Sequence, residues 1–262
     1  MPTDPSPPFD SSPTSGSSQT SDSSADTNSS NATEPPLILD IDGTLTRPDA
    51  WGIDPRIFDP LRSWKAPVVI ATGKAFPYPV ALCHFAGIPE LVVAENGGVV
   101  YNGEEVYVTT SREGPEAVTE AYLDAGYDLG WGPEDTVNRW RETEIAVARD
   151  RPDGPLRELA AEHGLEVVDT GYAYHVKHPN QKKGVGVEAI AEYVGFDLDA
   201  AVAVGDSKND VSTFDVVGRS YAVANADDAA REAADEILEG AHADGTLAVL
   251  ESLREGSSGD RS

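Results

Sequence analysis

The stretch PPLILDIDGTLTRP, residues 35–48, ends a short apolar run with two closely spaced aspartates. In extended backbone, Asp40 and Asp42 would share one face and lie ~6.6 Å apart, at ~3.3 Å of rise per residue. Carboxylates this close repel each other unless a cation bridges them or one of them is protonated. The pair therefore indicates chemistry that uses clustered carboxylates: cation binding, nucleophilic attack or proton transfer.

Polar residues also follow two other apolar runs, which we predict to be buried strands. TGK at 72–74 lies at the end of one run, and GDSKND at 205–210 lies at the end of the other. KK at 182–183 opens the helix that precedes this second run. Ligands of α/β sheets bind beyond the carboxyl ends of the strands. We therefore expect these groups to converge at one edge of a sheet.

The aspartates at this edge predict a site for a hard cation with oxygen ligands. Asp206 and Asp210 would join Asp40 and Asp42 there, and Mg²⁺ is the simplest cation that balances their charge. The 5 histidines show no ligand spacing with Cys83 or with one another, so we expect them to pack or to lie on the surface. We predict Mg²⁺ as the cofactor.

A cation, a carboxylate, a hydroxyl and a lysine together suit phosphoryl transfer, which depends mainly on positioning and charge neutralisation. Asp40 would attack phosphorus and form an aspartyl-phosphate. Asp42 would protonate the leaving alkoxide and then deprotonate the water that hydrolyses the intermediate. Thr72 Oγ1 and the Lys183 ammonium would hold the phosphoryl oxygens.

Each of these short motifs also has a purely structural interpretation. DGT is common in turns, Ser207 and Asp210 can form a capping box, and the lysine pair can be solvated. Short motifs often match by chance, but their joint occurrence at strand ends and helix starts is harder to explain in this way. The combination therefore favours the functional interpretation.

Short apolar runs alternate with helical stretches from Pro35 onward. Runs of about four to six β-branched and apolar residues are typical of buried strands in a parallel sheet. The alternation predicts an α/β, doubly wound, mostly parallel, Rossmann-like core. The predicted strands are LILDI at 37–41, PVVIAT at 67–72, ELVVAE at 90–95, AAVAVG at 200–205 and SYAVA at 220–224.

The middle of the chain, residues 103–177, reads as strand, helix, strand and strand, beginning with EEVYVTT. This order predicts a small α+β domain inserted into a core formed by residues 35–102 and 178–262. Residues 1–34 are rich in Ser, Thr, Pro and Asp and contain no Lys or Arg. Such a segment buries too little apolar area to offset its ordering entropy, so we predict a disordered tail.

The net charge of −27, from 46 acidic and 19 basic residues, argues against nucleic-acid and anionic-membrane partners, which need basic patches. The acidic excess is spread along the chain, as in cytosolic proteins of salt-loving archaea. No apolar run approaches the ~20 residues of a membrane helix, and the N-terminus lacks a signal peptide. With Cys83 as the only cysteine, we expect a cytoplasmic protein. The sequence leaves open whether it is a monomer or a homodimer.

In chain order, DIDGTLT, IATGK, KKG and GDSKND resemble the four motifs of the haloacid dehalogenase-like phosphatases. The resemblance covers residues 37 to about 255 and implies that family's core with an inserted cap domain. Three further stretches resemble archaeal phosphoglycolate phosphatases: AENGG at 94–98, NRWRE at 138–142 and TGYAYHV at 170–176. The resemblance implies Mg²⁺-dependent hydrolysis of a small phosphorylated metabolite, with 2-phosphoglycolate as the favoured substrate.

The resemblance also implies roles for single residues. Asp40 would be the nucleophile, and Asp42 the general acid and base. Thr72 and Lys183 would bind phosphate. Asn209, in the same substrate-binding group, would orient the nucleophile or a metal-bound water. The implied metal ligands are Asp40, Asp42 through its backbone carbonyl, Asp206 and Asp210. The tail at 1–34 has no counterpart in the family.

Several alternatives remain open at this point. Arg139 or Arg141 would bind the glycolate carboxylate, unless both are surface arginines paired with glutamates. Another small sugar phosphate, a phosphoglycerate-type ester and a phosphomutase reaction are all compatible with the Asp40 and Asp42 pair. A signalling receiver domain also clusters aspartates, Thr and Lys, but it is much shorter and lacks an insert such as residues 103–177.

Overall fold

A computed structural model describes residues 34–258 of the chain. The predicted disordered tail, residues 1–34, lies outside the described residues except for Glu34. None of the helices formed between residues 34 and 258 has the length and apolar character needed to span a bilayer.

Strands and helices alternate along most of this region. The strands are β1 (Leu37–Leu39), β2 (Thr46–Arg47), β3 (Ala50–Ile53), β4 (Val68–Ala71), β5 (Leu91–Ala94), β6 (Val99–Tyr101), β7 (Val106–Val108), β8 (Ile145–Ala148), β9 (Glu166–Asp169), β10 (Ala173–Lys177), β11 (Val202–Gly205), β12 (Arg219–Ala222) and β13 (Glu236–Ile237). The helices are α1 (Phe58–Ser63), α2 (Pro77–Ala86), α3 (Glu113–Asp124), α4 (Asp153–Glu162), α5 (Lys183–Val194), α6 (Val211–Phe214), α7 (Asp228–Ala233) and α8 (His242–Ser258). Short 3₁₀ segments include Glu95–Gly97 and Lys208–Asp210.

The largest sheet has eight strands in the order β13-β12-β11-β1-β4-β5-β6-β7. Strand β1 pairs in parallel with β11 and β4, whereas β6 and β7 are antiparallel additions at one edge. The central strands β1, β4, β5 and β11 are buried along their whole length. This sheet confirms the predicted α/β, mostly parallel core.

The two faces of this sheet are covered by different helices because side chains alternate along each strand. On one face, Leu37 and Leu39 pack in an apolar cluster with residues of α1, α2 and α8. On the opposite face, Ile38 packs in a second cluster with residues of α5, α6 and α7. The fold is therefore doubly wound, and the carboxyl ends of β1, β4 and β11 meet at one edge.

A second, three-stranded antiparallel sheet has the order β8-β10-β9. Helices α3 and α4 supply Tyr122 and Leu156 to an apolar cluster with Val147 and Val176 of this sheet. Tyr122 Oη also donates a hydrogen bond to the Pro152 carbonyl oxygen at 2.8 Å. This sheet with its two helices has an apolar cluster separate from the two that cover the large sheet.

Strand β7 departs from the predicted arrangement. Its residues were assigned to the inserted domain over 103–177, but Val106–Val108 pairs with β6 in the large sheet. The strand alternates between exposed valines and a half-buried Tyr107, a pattern that fits an edge strand of either sheet. Its sequence therefore did not specify which sheet it joins, and the strand order of the smaller unit begins only after α3.

Candidate active site

Four predicted side chains meet where β1 and β11 end and α5 begins. Asp40 follows β1, and Asp206 follows β11. Asp210 ends a 3₁₀ segment, and Lys183 is the first residue of α5. Lys183 Nζ donates to Asp40 Oδ1 at 2.6 Å and to Asp210 Oδ1 at 2.7 Å. All three of these side chains are buried, so the ion pairs lie in the interior.

Glycines allow the loops of this cluster to approach one another closely. A Cβ on Gly43 would lie 1.9 Å from Asp206 Oδ2, and its φ of +76° lies in the region that favours glycine. A Cβ on Gly184 would lie 1.9 Å from the Ser212 carbonyl oxygen. The glycine of the KKG motif therefore lets α5 begin directly beside α6.

The acidic loop after β11, residues 206–210, is held by the predicted capping box of Ser207 and Asp210. The backbone N–H groups of Asp206 and Ser207 both donate to Asp210 Oδ2 at 3.0 Å. Oδ2 of Asp210 is thereby fixed by backbone groups, while Oδ1 contacts Lys183. One oxygen of Asp210 therefore holds the loop through backbone N–H groups, and the other pairs with the Lys183 ammonium.

The carboxylates of Asp40, Asp206 and Asp210 form a cluster in which oxygens from each lie within 4.8 Å of one another. Burial raises the pKa of Asp40, against the opposing effect of Lys183. Burial also raises the pKa of Asp206, and repulsion from Asp40 and Asp210 adds to this. One lysine does not balance three carboxylates, and an all-carboxylate donor set fits a hard divalent cation.

Asp42 and Thr72 lie at the cleft beside this cluster rather than within it. The Asp42 side chain is 52% exposed, and its Oδ2 is 2.9 Å from Lys74 Nζ. Thr72 is buried, and its Oγ1 accepts a hydrogen bond from the Lys74 N–H at 3.2 Å. The hydroxyl hydrogen of Thr72 is therefore still available to a ligand.

One cleft of about 550 Å³ runs over the carboxyl edge of the large sheet. Lys183 and Asp210 lie behind Asp40 and do not line this cleft. The predicted residues that do line it are Asp40, Asp42, Thr72, Asp206 and Asn209. The β2–β3 hairpin, the β9–β10 turn, Arg141 and His175 supply the other walls.

Asn209 connects the acidic loop to a second group of polar residues. Its Nδ2 donates to Asn96 Oδ1 at 2.9 Å, and Asn96 Nδ2 donates to Glu144 Oε2 at 2.9 Å. Glu95 and Asn96 have φ values of +50° and +55°, which are uncommon for residues other than glycine. The surrounding contacts hold this turn in a costly conformation, and such turns concentrate at functional sites.

Glu144 is buried and contacts the side chains of His175 and Arg141 through one oxygen. Its Oε1 is 2.7 Å from His175 Nδ1 and also accepts from Arg141 Nη1. Burial alone would raise the pKa of Glu144, but His175 and Arg141 outweigh burial and lower the pKa to about 2. Glu144 is therefore ionised at neutral pH.

The structure also separates the two arginines of NRWRE. Arg139 is exposed and does not line the cleft, whereas Arg141 is only 4% exposed and does line it. Arg141 Nη1 donates to the Gly73 carbonyl oxygen at 3.0 Å. The alternative that both are surface arginines is therefore excluded for Arg141, which is buried but does pair with a glutamate, Glu144.

The sequence alone did not identify Asn96, Glu144 or His175 as site residues. It assigned His175 to packing or to the surface, but this histidine is buried against Glu144 and lines the cleft. The available signal was the second of the two glutamates in ETEIAVA, Glu144, which directly precedes the apolar run IAVA. A buried carboxylate of that kind requires a partner, but its sequence does not say which one.

Comparisons with known proteins agree with this fold. A sequence profile described as haloacid dehalogenase-like hydrolase matches residues 37–124 and 158–250. A protein named phosphoglycolate phosphatase from Halorubrum lacusprofundi is 57% identical over 222 residues, covering 84% of this chain and 97% of that protein. A protein of the same name from Halobacterium salinarum is 54% identical over 224 residues, covering 86% and 99%. A crystal structure titled Thermoplasma acidophilum 0175 aligns with a TM-score of 0.74 at 24% identity, covering 85% of this chain and 99% of that one.

The chain belongs to the haloacid dehalogenase-like hydrolase family. The profile and the relatives confirm the predicted family and identify the chain as an enzyme, a hydrolase. Both relatives come from halophilic archaea, in agreement with the acidic composition. The profile leaves residues 125–157 unmatched, and these include Arg141 and Glu144.

Proposed function

We propose that this hydrolase is a Mg²⁺-dependent phosphomonoesterase that converts 2-phosphoglycolate to glycolate and phosphate. The observation that carries the proposal is the buried contact between Asp40 and Lys183, next to two further carboxylates at the base of the cleft. Phosphoryl transfer needs such a combination of a positioned nucleophile and neutralised charge. The names of the relatives at 57% and 54% identity support the choice of substrate.

Asp40 is the nucleophile in this proposal. Lys183 holds its Oδ1, and its other oxygen attacks phosphorus. The carboxylate–phosphorus bond forms as the ester P–O bond breaks, which gives an aspartyl-phosphate. Asp42, at the same cleft, donates a proton to the departing glycolate oxygen.

Water completes the reaction. Asp42, now ionised, accepts a proton from the water whose oxygen attacks phosphorus. The bond between phosphorus and Asp40 breaks, which releases phosphate and restores the carboxylate. The contact between Asp42 and Lys74 at 2.9 Å keeps the Asp42 side chain beside the cleft during both steps.

The remaining predicted residues bind and orient in this scheme. The Thr72 hydroxyl donates to a phosphoryl oxygen. A lysine ammonium has three N–H donors, so Lys183 has one beyond those given to Asp40 and Asp210. Because Lys183 lies behind Asp40, this donor serves the phosphoryl group once Asp40 carries it. Asn209 holds the acidic loop against Asn96.

The proposed Mg²⁺ ligands are the carboxylates of Asp40, Asp206 and Asp210 and the backbone carbonyl of Asp42. The all-oxygen donor set carries this choice, since it suits Mg²⁺ better than a softer metal. When bound, the ion neutralises the phosphoryl oxygens and the carboxylate cluster.

We further propose that residues 35–102 and 178–262 form a core domain and that a cap domain lies within residues 103–177, with β7 reassigned to the core. We also propose that the enzyme is cytoplasmic.

A phosphate ester larger than 2-phosphoglycolate is the second candidate substrate. The observation that favours it is the cleft volume of about 550 Å³, which exceeds what so small an acid needs. Sugar phosphates and phosphoglycerate-type esters fall in this class.

Phosphate release from a panel of small esters, with and without Mg²⁺ and at high salt, tests the proposal. We expect the highest kcat/KM with 2-phosphoglycolate, dependence on Mg²⁺, and no turnover by Asp40→Asn. An Asp40→Asn variant as active as the wild type would refute the mechanism. A higher kcat/KM for a larger ester favours the second candidate, and phosphate moved within the ester rather than released indicates a mutase.

A further inference from the structure

We infer that Arg141 and His175 form a carboxylate-binding subsite for the leaving group of the substrate, and that Glu144 positions both side chains. This inference rests on the proposed function, because it concerns the part of the same ester that departs. The subsite would select phosphate monoesters of small hydroxy acids over esters of neutral alcohols.

Arg141 presents one nitrogen of a fixed guanidinium to the cleft. Its Nη1 donates to Gly73 and Glu144, and its Nε donates to the Val137 carbonyl oxygen at 3.2 Å. Nη2 makes no hydrogen bond with the described residues. It is not one of their fully buried polar atoms either, so part of its surface is exposed. Nη2 is therefore not enclosed, and Arg141 lines the cleft, where guanidinium N–H groups suit a carboxylate.

His175 presents its second ring nitrogen to the same cleft. Nδ1 carries a hydrogen, because its partner at 2.7 Å, Glu144 Oε1, is a carboxylate that only accepts. Nε2 makes no hydrogen bond with residues 34–258, yet it is not one of their fully buried polar atoms without a partner. His175 also lines the cleft. In the charged form of the ring Nε2 donates, and a bound anion favours that form.

Glu144 has a positioning role because it faces the two donors rather than the cleft. It does not line the cleft, and its Oε1 accepts from both Arg141 and His175. Its Oε2 accepts from Asn96, which also bonds to Asn209 beside the acidic loop. One chain of hydrogen bonds therefore links the donor pair to the region of the carboxylate cluster.

The charges along the cleft assign the two ends of the substrate. Asp40 and Asp206 repel a substrate carboxylate and accept a phosphoryl group only together with a cation. Arg141 offers the opposite charge, and His175 a ring nitrogen, away from that cluster. An ester without a carboxylate leaves these donors unpaired in a partly desolvated site. Such unpaired polar groups are the strongest source of discrimination between a substrate with a carboxylate and one without it.

The test compares 2-phosphoglycolate with ethyl phosphate, which has a methyl group in place of the carboxylate. For each variant we take the ratio of kcat/KM for the two esters. Any loss of folded protein cancels in this ratio, and the difference in leaving-group reactivity cancels when the ratio of a variant is divided by that of the wild type. The same variants are assayed for inhibition by glycolate and by inorganic phosphate.

Matched variants separate the contacts. His175→Asn keeps an amide donor near the place of Nδ1 and removes Nε2, whereas His175→Gln places its amide near Nε2. We expect His175→Asn and Arg141→Lys to lower the ratio by about 10- to 100-fold, the effect of one charge-assisted hydrogen bond. The decrease should arise mainly from a higher KM for 2-phosphoglycolate. His175→Gln should lose less, and the exposed control Arg139→Gln should keep the wild-type ratio.

The outcomes separate this inference from the proposed function. If the wild type prefers 2-phosphoglycolate and both His175→Asn and Arg141→Lys keep that preference, the subsite is refuted while the function stands. If the wild type shows no preference for 2-phosphoglycolate, the proposed substrate and the subsite both fail. Weaker inhibition by glycolate in His175→Asn, with unchanged inhibition by phosphate, supports the subsite directly.

Discussion

Lys183 Nζ lies 2.6 Å from Asp40 Oδ1, and the two side chains are 0% and 6% exposed. Lys183 has no access to bulk water, and Asp40 has access only through the cleft that it lines. Buried ions carry a large desolvation cost, so removing one partner of such a pair leaves the other uncompensated. The stability of the protein and the orientation of the proposed nucleophile therefore depend on the same contact.

Replacing Lys183 with Met tests this dependence. The change leaves Asp40 and Asp210 without their shared cation, so we expect a loss of about 3 to 5 kcal/mol in the free energy of unfolding. Urea unfolding at constant high salt, without divalent cations, measures it. The neighbouring Lys182 is exposed, and Lys182→Met should change stability by less than about 0.5 kcal/mol. Equal effects of the two variants would contradict the buried ion pair.

Cation binding should become more stabilising as the pH rises. Burial raises the pKa of Asp40 to about 7 and that of Asp206 to about 9, from 3.8 in the unfolded chain. Raised carboxyl pKa values favour folding at low pH, so the cation-free protein loses this stability between about pH 4 and pH 9. Mg²⁺ should offset the loss.

Thermal unfolding from pH 6 to 9, with Mg²⁺ or with a chelator, measures this linkage. We expect the increase in Tm caused by Mg²⁺ to grow with pH, because the ion binds the ionised carboxylates. Asp206→Asn removes one proposed ligand and one repulsive charge, and it should show a smaller increase in Tm at every pH. An increase in Tm that does not depend on pH would contradict the prediction.

Replacing Glu144 with Gln should destabilise the protein at neutral pH. Against the raising effect of burial, His175 and Arg141 depress the pKa of Glu144 from 4.5 to about 2. A depressed carboxyl pKa stabilises the folded protein at pH values above the pKa of the unfolded chain, here by about 3 kcal/mol through linkage. This stabilisation is lost as the pH falls from about 4.5 towards 2. The stability difference between wild type and variant should therefore be full at pH 7 and shrink below about pH 4.5.

The same variant tests the positioning role of Glu144. A purely structural role would leave the preference of the folded fraction for 2-phosphoglycolate over ethyl phosphate unchanged. We expect Glu144→Gln to lower that preference, since Arg141 and His175 lose the anion that orients them.

Gly184→Ala should disturb the start of α5. The added Cβ would lie 1.9 Å from the backbone oxygen of Ser212, which is not free to rotate away. We expect a loss of about 1 to 3 kcal/mol, the usual cost of overpacking, together with lower activity because Lys183 is the preceding residue. Urea unfolding and phosphate release measure the two effects.

Gly154 provides the matched control for this variant. Like Gly184 it is the second residue of its helix, but a Cβ there would meet nothing within 4 Å. Gly154→Ala should therefore be neutral or stabilise by about 0.4 to 1 kcal/mol, through a lower entropy of the unfolded chain. Destabilisation of the same size in both variants would contradict the steric argument.

The sequence alone determined the core and the residues at the ends of its strands. Apolar runs such as LILDI indicate strands that are buried on both faces, and parallel strands end at a common edge. Asp40, Thr72 and Asp206 each follow such a run. Their proximity therefore follows from local pattern and general topology, without knowledge of side-chain packing.

Only the tertiary structure decided the other half of the cleft. Asn96, Glu144 and His175 lie in separate segments and meet through hydrogen bonds across 48 and 31 residues. No periodicity encodes such a meeting, because it depends on a left-handed turn at Asn96 and on how two sheets pack. Likewise, Arg139 and Arg141 differ in exposure only because the loop that carries them folds against the core. Hydrophobic pattern specifies strands and their ends, whereas the partner of a single buried polar group is set by packing in three dimensions.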